Sequence, residues 1–196
     1  MAIGFVWLGQ HMAAKALFDE ASKKLEHAIT FTATIVTIQA GFPKHRRVKY
    51  AYRKGGFQRS DSGDIVFVAN PKAAWYYWPA EKKYQSAPVL AKDPNAAKSC
   101  GLGIMDSSLQ IVGGPTQVTW QGVEALRLEL DGSKKLGVNA KILMFFNVET
   151  HLPIGMSIGQ SPHLDGMILE DAKINPKLND SLFSFTPPKG WSKKKP

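Results

Sequence analysis

The sequence predicts an α+β fold in which one N-terminal amphipathic helix precedes a large curved antiparallel sheet. Three observations carry that reading. Apolar residues recur at helical spacing in one long stretch only, from Ala13 to His27. From Ile29 onward they alternate with polar residues in short runs, and those runs are closed by Gly, Pro, Asn or Asp. One helix followed by many consecutive short strands argues for a single large sheet, curled or partly closed, with the helix on it.

The elements follow in order. Leu17, Ala21, Leu25 and Ala28 form the apolar stripe of the helix with Phe18 beside them, while Lys15, Lys23, Lys24 and Glu26 lie opposite. Glu20 stands four residues before Lys24, the spacing that supports a helical ion pair. Ile29 to Ile35 alternates apolar residues with threonine, and Val36-Thr37-Ile38 shifts the phase by one residue, as a bulge requires. Gly41-Phe42-Pro43-Lys44 makes a turn, and Arg46 to Arg53 is the second strand, with Val48, Tyr50 and Tyr52 on one face and Arg53 with Ala51 on the other. Phe57 to Ser60, Ile65 to Ala69, Ala74 to Trp78 and a run starting at Tyr84 continue the meander. Val89 to Gly114 is an irregular insertion with a short helix near Met105 to Leu109, a candidate lid. Strands resume at Val118 to Trp120, Val123 to Leu130, Ala140 to Val148, Ile154 to Ile158 and Met167 to Ile174. Leu182 to Trp191 reads as the last strand, with Phe183 and Phe185 on one face and Pro187-Pro188 ending the ladder.

Bulk composition narrows the class. An apolar fraction of 44% and a charged fraction of 21% are those of an ordinary globular protein, and 196 residues fit one domain. No apolar run reaches the roughly 18 residues of a membrane-spanning helix. A single cysteine, Cys100, excludes an intramolecular disulfide and reads as an incidental thiol. The net charge of +9 fits a solvated surface or an anionic membrane surface better than nucleic acid, because Lys44-His45-Arg46-Arg47 and Lys193-Lys194-Lys195 read as a turn and a tail. Residues 1–12 read as a leader or signal remnant, since Ala2 to Leu8 is apolar but lacks a preceding positive region. Residues 192–196 read as a basic tail.

Catalytic signatures are scarce. The five histidines stand apart, without metal-ligand spacing. Gly101-x-Gly103 and Gly113-Gly114 lack the rest of a phosphate loop, and Glu170-Asp171 are neighbours on a strand that point to opposite faces. No enzyme, metal or cofactor is expected. What remains is a surplus of large apolar side chains, among them Phe31, Ile35, Phe57, Phe67, Trp75, Leu128, Phe146 and Phe183. Both a filled core and a lipid pocket under a helical lid fit that surplus. Arg53, facing an apolar concavity, would hold such a lid by donating to helix-terminal carbonyls; a solvated arginine fits the same pattern.

Several motifs, in order, then suggest a family. They are the helix Leu17 to Leu25, the threonine-rich Phe31-Thr32-Ala33-Thr34, and Tyr50-Ala51-Tyr52-Arg53 with Phe57 four residues on. Val68-Ala69-Asn70-Pro71-Lys72-Ala73-Ala74-Trp75-Tyr76-Tyr77-Trp78-Pro79 and the closing Leu182 to Gly190 complete the set. The pattern resembles the LolA-type family, periplasmic carriers of bacterial lipoproteins, over residues 13–191, read as a single domain. The resemblance implies an incomplete β-barrel whose concave apolar face, capped by helices, receives the acyl chains of lipoproteins or lipids. It implies a monomer, a periplasmic location and no enzymatic activity. Arg53 matches the family's lid-holding arginine, and Phe57 and Phe67 match cavity-facing positions. Leu17, Phe31, Ile35, Trp75, Phe146 and Phe183 complete the expected lining. Asn70-Pro71 stands where the family has Asp-Gly, which predicts an open turn, and Lys54 stands where it has proline. An envelope-stress sensor or protein-interaction domain of the same fold is the alternative.

Overall fold

In the computed structural model the chain is described at residues 2–39, 45–88, 105, 109–132, 141–160 and 163–194. The expected turn at Gly41 to Lys44 lies outside these residues, as do Cys100, Gly101 and Gly103. Of the expected short helix near Met105 to Leu109, only its two end residues are described.

Helix α1 (Ala2–His27) leads into twelve strands: β1 (Thr30–Ile38), β2 (Arg46–Arg53), β3 (Phe57–Asp61), β4 (Val66–Asn70), β5 (Ala73–Trp78), β6 (Lys83–Ala87), β7 (Gln110–Trp120), β8 (Val123–Asp131), β9 (Lys141–Asn147), β10 (Pro153–Gln160), β11 (His163–Ile174) and β12 (Ser192–Lys193). They form one unclosed sheet in the order β12-β6-β5-β4-β3-β2-β1-β11-β10-β9-β8-β7. From β2 to β6 and from β7 to β11 each strand pairs antiparallel with the next, and β12 pairs parallel with β6. Short turns make the antiparallel order automatic. Trp120 pairs with Val123, so Gln121-Gly122 is a two-residue loop, and both of its residues take positive φ, 51° and 80°.

The chain divides into two compact units, each built from three separated stretches. In the first unit (residues 1–24, 36–45 and 104–170), Ala14, Leu17, Phe18 and Ala21 of α1 pack on Leu128, Leu130, Ile142, Met144 and Phe146 of β8 and β9. Each fully buried Leu or Phe there contributes about 1.5–3 kcal/mol. The helix is also tied down by polar contacts. Lys24 Nζ donates to Glu20 Oε1 at 2.6 Å and to the Thr150 carbonyl at 2.7 Å, and Glu20 Oε2 lies 2.9 Å from His151 Nδ1. The β9–β10 turn that receives these contacts is organised by Asn147 Oδ1, which accepts from the Glu149 and Thr150 amides.

In the second unit (residues 25–35, 46–103 and 171–196), strands β2 to β6 form a meander in consistent register. The β4–β5 turn corrects the sequence expectation. Asn70 pairs with Ala73, which leaves Pro71-Lys72 as a two-residue loop. Asn70 Oδ1 accepts from the Lys72 and Ala73 amides at 2.9 and 3.0 Å, so the side chain supplies the turn that left-handed residues would otherwise make.

Three further boundaries differ from expectation. Helix α1 begins at Ala2 rather than Ala13. Strand β7 begins at Gln110 rather than Val118, because register shifts at Ile111/Gly113 and Gly113/Thr116 break the alternation that reveals a strand. Gly114 is required at the second shift: its φ is +98°, and a Cβ there would lie 2.5 Å from the Arg127 carbonyl. The closing run is not the last strand. Asp180–Phe183 is a single 3-10 turn capped by Asn179, whose Oδ1 accepts from the Ser181 amide at 3.0 Å. Phe183 and Phe185 are both held by rings of the sheet below, which gives the period of two without a ladder.

Candidate functional site

The register of the second unit sets five side chains in a row across one sheet face. Tyr50 pairs with Ser60, Ser60 with Phe67, Phe67 with Tyr76, and Tyr76 with Gln85. On one side of that row lie the small residues Ala69, Ala74 and Ala87, packed against Phe67. On the other lie Val48, Ile65 and Trp78. A depression lies between this row and the side chains of Val48, Ile65 and Trp78. It is a groove of about 400 Å³ lined by Arg46, Val48, Ser60, Ser62, Ile65, Phe67, Tyr76, Trp78 and Gln85. That volume is within the ~300–1,000 Å³ of small-molecule sites.

The groove is aromatic-floored and polar-rimmed. Phe67 is buried, with its ring centroid 4.9 Å from that of Tyr76, and Tyr76 lies 6.5 Å from Trp78. Tyr76 is 42% exposed, which marks the part of the floor that faces solvent. Trp78 carries a cation on its face: the Lys194 ammonium lies 4.2 Å from the ring centroid.

The opposite face of the same strands is covered by the chain's own C-terminal segment. Arg53 forms an ion pair with Asp180, in the first turn of the 3-10 helix, and its guanidinium lies 3.9 Å from the Phe57 centroid and 5.0 Å from that of Phe183. The arginine therefore contacts a carboxylate and two rings, where the sequence suggested helix-terminal carbonyls. Phe185 stacks on Tyr77 at 4.5 Å and approaches Trp75, Tyr84 and Trp191. A second depression of about 330 Å³ on this face is lined by Thr32, Thr34, Lys49, Arg59, Asp61, Asp171 and Lys173 together with Leu178 and Leu182. Its charged lining, including an Arg59–Asp61 pair at 3.1 Å, sets it apart from the aromatic groove.

The nine expected lining residues fall in separate places. Phe67 lines the groove. Phe31 is buried with its ring 6.4 Å from Tyr50, and Ile35 is half-buried farther along β1. Arg53, Phe57 and Phe183 meet one another beneath the C-terminal segment, and Trp75 meets Phe185 there. Leu17 and Phe146 lie in the core between α1 and the strands of the first unit. Tyr76, Trp78, Val48, Ile65 and Arg46 were not anticipated. A two-residue turn at Pro71-Lys72 would have revealed the first two, since it sets Phe67 opposite Tyr76 directly.

Among the described residues, no group of three or more His, Cys, Asp or Glu side chains is placed to hold a metal ion. No described helix is long and apolar enough to cross a membrane.

Comparison with solved structures addresses the fold. The chain matches an uncharacterized conserved protein from Thermus thermophilus with a TM-score of 0.57 at 12% identity, covering 93% of this chain and 98% of that one. It matches the Mycobacterium tuberculosis lipoprotein LppX with a TM-score of 0.56 at 8% identity, covering 86% and 98%. It shares their fold. Matches also include a LolA superfamily protein from Nitrosomonas europaea, with a TM-score of 0.35 at 11% identity, covering 88% and 97%. No family model matches the sequence, and no curated protein matches it.

Proposed function

We propose that this protein is a non-enzymatic binder or carrier of acylated ligands, lipoproteins or lipids, in a bacterial envelope. The observation that carries this reading is the groove over Phe67, Tyr76 and Trp78, an apolar floor with a polar rim on a sheet whose other face is partly covered by the C-terminal segment. An acyl chain has no hydrogen bonds to offer, so it is retained by burial alone, at about 0.8 kcal/mol per methylene removed from water. An aromatic floor of this kind provides that burial without demanding a fixed chain length. The fold shared with LppX, a protein described as a lipoprotein, supports an envelope setting.

The test is direct binding. The purified chain is expected to enhance the emission of a fluorescent fatty acid, and organic extracts of the protein are expected to contain acyl lipid. Tyr76→Glu, at a position already 42% exposed, is expected to weaken binding at least about tenfold while leaving the circular dichroism spectrum unchanged, because it sets a charge on the apolar floor. Unaltered affinity in that variant would remove the groove from the proposal.

A further inference from the structure

We propose that the groove selects amphiphiles with an anionic head, and that Arg46 receives that head, with Lys194 adding to the positive field, while the acyl body lies over Phe67, Tyr76 and Trp78. This rests on the acyl-binding reading above and names the class of ligand within it. Charge placement around the groove carries the inference. Among the nine described residues that line it, Arg46 bears the only charge; Ser60, Ser62 and Gln85 are polar and neutral. No carboxylate stands among these nine residues to neutralise the arginine.

The second cation is held in place by the fold. Strand β12 pairs parallel to β6, with Ser192 opposite Lys83 and Lys193 opposite Tyr84. The Ser192 amide donates to the Lys82 carbonyl at 3.1 Å and the Lys194 amide to the Tyr84 carbonyl at 2.7 Å. These two bonds fix the backbone on either side of Lys193. They turn Lys194 onto the groove face, where its ammonium rests on the Trp78 ring that lines the groove. Lys194 is half-buried, so its stem covers apolar surface while its charge stays at the rim. Lys83 shares the face through its pairing with Trp78, but its Nζ lies 3.1 Å from Glu81 Oε2. Glu81 is thus engaged first with Lys83, whose hydrogen bond is the larger cause of its lowered carboxyl pKa; the charge of Lys194 adds to the effect.

The Arg46 guanidinium offers two parallel donors to a carboxylate or a phosphate, and the Lys194 ammonium, carried at the opposite end of this row of strands, adds a point charge to the field over the groove. At a boundary between water and aromatic rings such pairing is worth more than in bulk water and is still sensitive to salt. A neutral head of the same size gains neither contact.

The experiment uses the full chain and three competitors below their micelle concentrations: palmitate, palmitoyl-glycerol phosphate and neutral palmitoyl-glycerol, each displacing a bound fluorescent fatty acid. Both anionic competitors are expected to displace the probe at about 3–10-fold lower concentration than the neutral one, a preference that shrinks in high salt. Arg46→Gln and Lys194→Gln are each expected to reduce that preference about threefold, read as the ratio of the anionic to the neutral inhibition constants after correction for each variant's own affinity for the anionic probe. An unchanged circular dichroism spectrum reports that the variants are folded. A preference for only the carboxylate or only the phosphate supports the proposal and identifies the head. Equal displacement by all three competitors, or a preference unaffected by both substitutions, overturns head selection while leaving acyl binding intact. Failure of the fluorescent acid itself to bind overturns the acyl reading instead.

Discussion

Gly155 lies beneath a stacked aromatic pair in the first unit. Trp120 and Phe145 stack with centroids 4.3 Å apart and planes within 10°, and Gly155 is the register partner of Phe145. A Cβ at Gly155 would collide with the Trp120 ring and would lie 2.5 Å from the Met167 carbonyl, so neither a rotamer change nor a small shift relieves it. Gly155→Ala is expected to destabilise the protein by about 1–3 kcal/mol, seen as a lower urea midpoint at unchanged slope. Gly9→Ala, where an added Cβ meets nothing within 4 Å, should show no loss. Such contacts are not legible in a sequence. Trp120 and Gly155 are joined only through the register of four strands, β7 to β10, whereas Tyr50, Tyr52 and Arg53 could be assigned to opposite faces from alternation alone. The partner of Arg53 was hidden for the same reason, since Asp180 is 127 residues away.

Helix α1 shows how an amphipathic element is held at one end. Its apolar stripe was legible from spacing, because a 3.6-residue period depends on neighbours only. Its polar latch was only half legible: the Glu20–Lys24 pair follows from an i, i+4 spacing, but His151 and the Thr150 carbonyl belong to the β9–β10 turn. The Glu20 carboxyl is held below its ordinary 4.5, first by the Lys24 hydrogen bond and then by that of His151. A carboxyl that ionises more readily in the folded chain contributes stability fully above its unfolded value, and loses it as pH falls through the lowered folded value. Stability is therefore expected to decline as pH drops below about 4.5. Glu20→Gln should flatten that decline and lower the urea midpoint at neutral pH, and midpoints measured across the acid range decide the matter. The C-terminal segment is the element that sequence misread. Its period of two came from Phe183 docking on Phe57 and Phe185 docking on Tyr77, and rings held from below produce the same alternation as a ladder.

At the scale of the whole molecule the chain weaves between its two units. Each is assembled from three stretches, and α1, β1 and β11 all contribute residues to both, with crossings at 24/25, 35/36 and 170/171. Neither unit is a continuous segment that could fold from an uninterrupted piece of chain, so unfolding is expected as one transition. Far-ultraviolet dichroism and tryptophan emission should give the same thermal midpoint; two separated midpoints would show that the units melt independently. The antiparallel meander was legible because nearly every strand is joined to the next by a short turn marked in the sequence, while the insertion after β6 bears no such mark. The sheet's failure to close has a further consequence. Its two ends, β12 and β7, are templates on which another copy of the chain could add a strand. At one end β12 is only two residues long, pairs in the slightly less stable parallel sense and is followed by Lys194; at the other, β7 is kinked by two register shifts around Gly113 and Gly114. A two-residue strand beside lysines and a bulged strand are both poor seeds for edge-to-edge aggregation, so an open sheet able to expose an apolar face is protected at the places where it would otherwise polymerise.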